Sequence, residues 1–184
     1  MAADAPRAAG PARRPLAYDP IAEAARQWRA HGWGEAADGM AAVTSLVRAH
    51  QIVMSRVEEV LRPFGVTFAR YELVTLLHFS KAGSLPLARI GTLLQVHPTS
   101  VTNAVDRCEA AGLVRRIPHP TDRRATLAEV TPAGRELVGK ATEALNRDVF
   151  ADLRVAAGDV TALVEVLGRF RSAHGDFQES GPEG

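Results

Sequence analysis

Residues 87–134 carry most of the information about the fold, and they read LARIGTLLQVHPTSVTNAVDRCEAAGLVRRIPHPTDRRATLAEVTPAG. Hydrophobic periodicity and turn residues predict two short helices, a tight turn between them, and then two strands joined by a loop. The predicted bounds are 86–95 and 98–112 for the helices, and 113–117 and 126–130 for the strands. Two helices, a turn and a hairpin together predict a helix-turn-helix with a wing.

The second of these helices has two chemically different faces. Val101, Val105 and Cys108 share one face at helical spacing, which indicates a core-facing side. This position favours a buried structural thiol at Cys108, with a redox-sensing thiol as the alternative. A helix that enters a major groove must present small or hydrogen-bonding side chains to the base edges. The polar side chains that meet this demand are Thr99, Ser100, Thr102, Asn103 and Arg107. We therefore predict DNA contacts at these residues, with an ordinary polar surface as the alternative.

The predicted hairpin is strongly basic. Between Leu113 and Ala125, four arginines stand against the single acid Asp122, whereas the whole chain of 184 residues has a net charge of only +1. These arginines are Arg115, Arg116, Arg123 and Arg124. A wing with this charge can reach a phosphate backbone or a minor groove. Asp122 is interpreted as a brace that orients Arg124 or Arg107 through a charge-assisted bond. A solvated charged turn is the alternative interpretation.

Helical periodicity extends on both sides of this DNA-binding lobe, which we place at 67–131 with Thr67 as the cap of its first helix. Long amphipathic helices are predicted over 36–63 and within 132–174, where one helix runs from Pro132 to about Leu153 and a last one begins at Asp159. Their apolar surface exceeds what a small lobe can cover. We therefore expect a homodimer with recognition helices about one DNA turn apart. The remaining segments are a flexible tail over 1–17, an accessory helix over 18–33 that Asp19 and Pro20 begin, and an acidic tail over 176–184.

This sequence resembles the MarR family of winged-helix transcriptional regulators. The similarity is carried by the VDRCEAAGLV passage, by the DRR motif at the wing tip, and by the T-P-x-G motif that begins the next helix. It implies a mainly α fold with a small β-hairpin wing, in which a winged helix-turn-helix lobe is flanked by long dimerisation helices over a domain at 36–175. It also implies DNA contacts at Ser100, Thr102, Asn103, Arg107, Arg123 and Arg124. His97 stands at the helix N-cap, where the family more often has Asp or Ser.

The accessory helix is similar to the N-terminal helix of the urate-responsive subgroup of this family. That resemblance implies an effector pocket in which Trp28 stacks on the ligand, Glu72 accepts a hydrogen bond and Arg116 pairs with negative charge. Asn103 stands where the subgroup has a second arginine, so a small planar or anionic ligand is expected rather than urate itself. His50, within the apolar stripe of the long helix, is either an interface histidine or a further pocket residue. Packing is the alternative role for Trp28 and Glu72.

Composition excludes several other classes of protein. Hydrophobic residues make up 46% of the chain and charged residues 23%, values typical of a folded globular protein. No apolar run is long enough to span a bilayer, and the single cysteine excludes a disulfide framework, so a cytoplasmic location is expected. No catalytic or paired metal-ligand motif is present, so we predict no enzyme activity, cofactor or metal. The expected function is a repressor that a ligand releases from DNA. The alternatives are an architectural DNA-binding protein and a winged helix used only for protein contacts.

Overall fold

The structure is a computed structural model, and it describes residues 15–122 and 125–177. The chain divides into two compact units, Met1–Val53 and Met54–Gly184, and the boundary falls within the long helix α2. The helices are α1 (Pro20–Ala30), α2 (Gly34–Leu61), α3 (Phe68–Phe79), α4 (Leu87–Leu94), α5 (Pro98–Ala110), α6 (Pro132–Leu145) and α7 (Ala157–Ala173). The strands are β1 (Ser84–Pro86), β2 (Val114–Pro118) and β3 (Thr126–Val130). No helix within 15–122 or 125–177 is long and apolar enough to cross a membrane.

The first unit begins with the helix that was predicted over 18–33. The Asp19 carboxylate accepts a hydrogen bond from the Ile21 amide at 2.9 Å, and Pro20 occupies the first helical turn, where its missing N–H costs nothing. The α1 helix ends before Gly32, which has a φ of +83°. Trp28 on α1 meets Trp33 edge-to-face, with ring centroids 5.5 Å apart. The aromatic contact therefore fixes the turn between α1 and α2.

In the second unit, the start of α3 differs from the sequence prediction. Thr67 does occupy the N-cap position, but its hydroxyl makes no capping bond. The Glu58 carboxylate instead accepts a hydrogen bond of 2.9 Å from the Phe68 amide, although Glu58 lies ten residues before Phe68. The predicted helix over 36–63 also ends earlier, since α2 stops at Leu61 and is followed by a 3₁₀ turn over Arg62–Phe64. A carboxylate from α2 thus supplies the cap that the local sequence was expected to provide.

The wing is a three-stranded antiparallel sheet with the order β1-β3-β2. The predicted hairpin is confirmed: β2 pairs with β3, with Val114 opposite Val130 and Pro118 opposite Thr126. The strand β1 was not predicted, and the expectation that a helix begins at Pro86 is wrong, because Pro86 ends β1. Three residues that end in proline carry no strand signal of their own, and β1 forms because β3 supplies its hydrogen-bonding partner, with Leu85 opposite Ala128.

A single hydrophobic cluster joins the C-terminal part of α2, the helices α3, α4, α5 and α6, and the sheet. Its largest fully buried side chains are Leu61, Leu73, Leu77, Ile90 and Leu145. Within this cluster the Tyr71 hydroxyl lies 2.8 Å from the Thr142 hydroxyl, so the polar tip of a buried tyrosine is paired between α3 and α6. The cluster holds the helix-turn-helix and the wing on one rigid base.

The segment over 132–174 contains two helices, as predicted, but the first of them ends earlier than the expected bound at about Leu153. The α6 helix ends at Leu145 and passes into a π-helical turn over Asn146–Phe150, and α7 begins only at Ala157. The Arg56 guanidinium donates to the carbonyls of Asp148 and Asp152 at 2.9 and 3.1 Å, which satisfies carbonyls freed where the first helix ends. A side chain from α2 therefore stabilises the connection between α6 and α7.

Both long flanking helices expose apolar side chains. On α2 these are Val43, Leu46, Val47, Ile52 and Val53, and on α7 they are Leu163, Val164, Val166 and Phe170. Val164 is 66% exposed and Val43 63% exposed, which is unusual for aliphatic side chains at helical spacing.

Candidate nucleic-acid interface

The helix α5 is positioned by its start and by its buried face. His97 is the N-cap residue, and its Nδ1 accepts the Thr99 amide at 3.3 Å while lying 3.1 Å from the Thr99 hydroxyl. Val101, Val105 and Cys108 are buried, as predicted. A Cβ at Gly91 would lie only 3.3 Å from the Val101 side chain, so α4 and α5 pack closely at this glycine. These contacts fix which face of α5 is presented outward.

The outward face carries all five predicted contact residues of this helix. Thr99, Ser100, Thr102, Asn103 and Arg107 are exposed. The Thr102 hydroxyl donates to the Pro98 carbonyl at 3.1 Å, so it remains available as an acceptor. The side chains of Ser100, Asn103 and Arg107 have no polar partner among the described residues. The face therefore offers unused donors and acceptors at the spacing of one helix turn.

The loop of the wing is organised by a histidine that sequence reasoning did not single out for this role. His119 Nδ1 accepts the amides of Thr121 and Asp122 at 3.3 and 3.1 Å. Arg123 and Arg124 lie outside the described residues, and with them the predicted contacts of the wing tip. The brace role of Asp122 stays a prediction for the same reason. A side-chain acceptor placed two and three residues before free amides in a Pro-rich turn is the signal that could have found His119.

Two of the four wing arginines are engaged within the protein. Arg115 forms an ion pair with Glu129, which faces it across the β2-β3 pair. The Arg116 guanidinium pairs with Asp106 at 2.6 Å and also with Glu109, and the Arg116 amide donates to the Glu109 carboxylate at 2.8 Å. These bonds hold the pKa of Glu109 below its usual value, and the hydrogen bond from the Arg116 backbone amide has the largest effect. Counting charges along the sequence therefore overstates the free positive charge of the wing.

The Arg116 contacts also connect the wing to α5, because Asp106 and Glu109 are on that helix. Sequence analysis assigned Arg116 to an effector pocket and did not assign a role to either acid. Their spacing of three residues on one helix face, opposite a strand arginine, is the signal that could have found this link. The Arg116 guanidinium bridges the two carboxylates, with one terminal nitrogen on each, and so holds the wing against the recognition helix.

The residues of the predicted effector pocket fall in different units. Trp28 and His50 belong to the first, where Trp28 is half-buried and lines a groove of about 630 Å³ together with Trp33 and Glu35. Glu72 belongs to the second, where partial desolvation raises the pKa of its carboxyl. A common pocket for these residues stays a prediction. Trp33, whose ring also stacks on His31 at 5.9 Å, was missed as part of this aromatic group.

Cys108 is confirmed as a buried thiol. Its side chain is fully inaccessible, and burial raises its pKa to about 11. A thiol in this state is almost entirely uncharged near neutral pH and reacts slowly.

The sequence profile of the MarR family matches residues 64–125, which include α3, α4, α5 and the start of the wing. The structure of Sco5413, a MarR family transcriptional regulator from Streptomyces coelicolor, superimposes with a TM-score of 0.71 at 46% identity, and covers 77% of this chain and 99% of Sco5413. The chain belongs to the MarR family.

Two further MarR-type proteins extend this relationship. The HTH-type transcriptional regulator YhbI of Bacillus subtilis is 33% identical over 119 residues, which cover 59% of this chain and 76% of YhbI. A mutant E. coli MarR complexed with operator DNA has the same fold, with a TM-score of 0.64 at 22% identity, and the match covers 69% of this chain and 91% of that one. This MarR protein is therefore a DNA-binding transcription regulator with a winged helix, and not an enzyme.

Proposed function

We propose that this protein is a homodimeric, sequence-specific repressor that a small planar or anionic ligand releases from a pseudo-palindromic operator. The observation that carries this proposal is the outward face of α5, whose Ser100, Asn103 and Arg107 side chains are exposed and have no polar partner among the described residues. Asparagine can bind adenine through two hydrogen bonds, and arginine can bind guanine or phosphate. A rigidly held helix with such a face is suited to reading base edges.

The homodimer is supported by the exposed apolar side chains of α2 and α7. Aliphatic and aromatic side chains at helical spacing on two long helices lose contact with water when a second copy covers them. A two-fold dimer would place two copies of α5 about one DNA turn apart. Light scattering after size exclusion is expected to give a dimer at micromolar concentration, and a monomer would contradict this part of the proposal.

The first test is binding to duplex DNA from the protein's own upstream intergenic region, compared with a scrambled duplex at about physiological salt. We expect selective binding, because hydrogen bonds to base edges distinguish the two duplexes while phosphate contacts do not. Equal affinity for both duplexes would favour the architectural alternative. Absence of salt-dependent binding to either duplex would favour a role in protein contacts only.

The role of Arg107 can be tested with a matched control. The logarithm of the binding constant falls linearly with the logarithm of the salt concentration. Arg107→Gln is expected to reduce the steepness of this slope by about one for each phosphate contact that it removes. Arg169→Gln on α7 removes the same charge from another exposed arginine that lacks a polar partner in the described part of the chain, and it is expected to leave the slope unchanged. Equal slopes for the two variants would contradict a phosphate contact at Arg107.

For ligand release, the proposed pocket residues are Trp28, His50, Glu72 and Arg116. Arg116 supports a physical route for release: an anionic ligand that binds its guanidinium must compete with Asp106 and Glu109, and so would loosen the wing from α5. The test adds small aromatic compounds and carboxylates, urate included, to the complex with DNA. If Trp28→Ala and Glu72→Gln proteins respond to an identified inducer as the parent does, the pocket is wrongly assigned.

A further inference from the structure

The turn between α4 and α5 contains a residue in an uncommon backbone conformation. Gln95 ends α4 with a φ of 53° and a ψ of 43°, in the left-handed region that favours glycine and, next, asparagine. Among the described residues other than glycine, only Arg154 shares a positive φ. A larger side chain keeps such a conformation where the surrounding structure gives it a specific contact.

The Gln95 side chain has such a contact at a distant point of the chain. Its Nε2 donates to the carbonyl oxygen of Asp176 at 2.7 Å, 81 residues later and just beyond the end of α7. Neither glycine nor alanine could make this bond, and asparagine is shorter by one methylene group. The side chain, and not the backbone, therefore explains why glutamine occupies a position that suits glycine.

The acceptor is itself held in place. The Asp176 amide donates to the Arg171 carbonyl at 3.0 Å, and the Asp176 carboxylate accepts from Arg171 Nε at 2.5 Å. The Arg171 guanidinium also lies over the Phe177 ring, 5.2 Å from its centroid. These contacts form a closed cap at the end of α7, which we call the α7 cap and define as Arg171, Asp176 and Phe177. The carbonyl that Gln95 binds therefore moves with α7.

Only Val96 and His97 separate Gln95 from the first residue of α5. A displacement of the α7 cap is thus transmitted through one hydrogen bond to the start of the helix that carries Ser100 and Asn103. We propose that Gln95 is a positioning residue that couples α7 to the recognition helix and so sets the spacing of the two recognition helices in the dimer. This inference rests on the proposed function, because it assigns Gln95 a part in the same DNA-binding surface.

The test measures discrimination between two DNA spacings. The probe is a duplex that the parent protein selects from a random library, compared with the same duplex carrying one extra base pair between the half-sites. In the parent, rigid spacing is expected to make the extended duplex a much weaker ligand. Gln95→Gly removes the coupling and relieves the backbone strain, so it should lower affinity for the selected duplex by about two- to ten-fold, the range for one exposed hydrogen bond. Its affinity for the extended duplex should fall less.

Thermal stability separates positioning from a merely structural role. Gln95→Gly should melt at the same temperature as the parent or higher, because glycine adopts the left-handed conformation without strain. Arg171→Ala, which opens the α7 cap, should reproduce the loss of spacing discrimination, and the double variant should lose no more than either single variant. Arg169→Ala is the matched control on the same helix and should behave as the parent.

Two results would overturn the inference. Gln95→Gly could retain the parent's affinity and spacing discrimination, or it could lose affinity for both duplexes equally with a lowered melting temperature. If the parent selects no duplex at all, the proposed function fails and this inference fails with it. If the parent binds selectively and the Gln95→Gly variant has the same affinity and spacing discrimination, only the positioning role of Gln95 is overturned.

Discussion

Replacing Gly134 by alanine should destabilise the protein, although alanine normally favours a helix. Gly134 is buried in the first turn of α6, and its amide donates to the Thr131 hydroxyl at 3.1 Å. A Cβ at this position would overlap the carbonyl oxygen of Leu113 and lie 2.9 Å from a Val130 methyl group. The Leu113 carbonyl cannot retreat freely, because it also accepts the Thr131 amide at 3.1 Å.

The magnitude follows from these contacts. Forcing a methyl group into a filled site costs about 1–3 kcal/mol, and each backbone or cap hydrogen bond lost at Thr131 adds about 0.5–1.5 kcal/mol. The higher helix propensity of alanine stabilises the folded state by about 1 kcal/mol relative to glycine and partly offsets this loss. The net loss for Gly134→Ala is about 3 kcal/mol, which corresponds to a melting temperature lower by about 6–12 °C for a chain of this size.

Gly139→Ala provides the control in the same helix. A Cβ at Gly139 meets no atom within 4 Å, and the residue is exposed, so this variant should gain about 0.5–1 kcal/mol. Melting is followed by circular dichroism at one fixed protein concentration, since the proposed dimer would make the melting temperature depend on concentration. A Gly134→Ala protein that melts within about 2 °C of the parent would refute the reasoning, because the site would then have room for a methyl group.

Three further variants or reactions test individual contacts. His97→Asn keeps an acceptor near the position of Nδ1 and should retain the parent's free energy of unfolding in urea. His97→Gln loses the cap of α5 and should lower that free energy by about 1 kcal/mol. Equal urea midpoints for the two variants would contradict the capping role. Tyr71→Phe should cost about 1 kcal/mol by leaving the Thr142 hydroxyl without its partner, and an unchanged melting temperature would show that this bond contributes nothing. Cys108 should react with iodoacetamide about 100-fold more slowly in the folded protein than in the unfolded one, because burial raises its pKa from 9.0 to about 11. Equal alkylation rates would contradict this shielding of the thiol. Because the folded-state pKa is the higher one, the contribution of Cys108 to the free energy of unfolding is constant below about pH 9 and decreases between about pH 9 and pH 11.

Much of the DNA-binding lobe could be predicted because its signals are local. The division of α5 into a buried face with Val101 and Val105 and an exposed face with Ser100 and Asn103 follows from the helical repeat alone. The β2-β3 hairpin follows from two short strands beside a turn-rich loop. Each of these features depends on residues within about one helix or one hairpin of each other.

The features that were predicted wrongly or missed depend on partners from elsewhere in the chain. The strand β1 requires β3, which begins 40 residues after β1 ends, and the cap of α3 comes from Glu58 instead of Thr67. A carboxylate ten residues away can replace a local hydroxyl because folding brings it to the free amide. No property of Thr67 itself indicates that it will be replaced.

The amino-acid sequence by itself determined the winged helix-turn-helix, the polar face of α5 and the buried state of Cys108, since periodicity and capping act over short distances along the chain. The tertiary structure alone determined that Arg116 lies between Asp106 and Glu109, and that Gln95 reaches the carbonyl of Asp176. The physical reason is that a charged or amide side chain can pair with many groups of similar chemistry. Which of them it binds depends on the three-dimensional packing, which brings together residues as far as 81 positions apart in the chain.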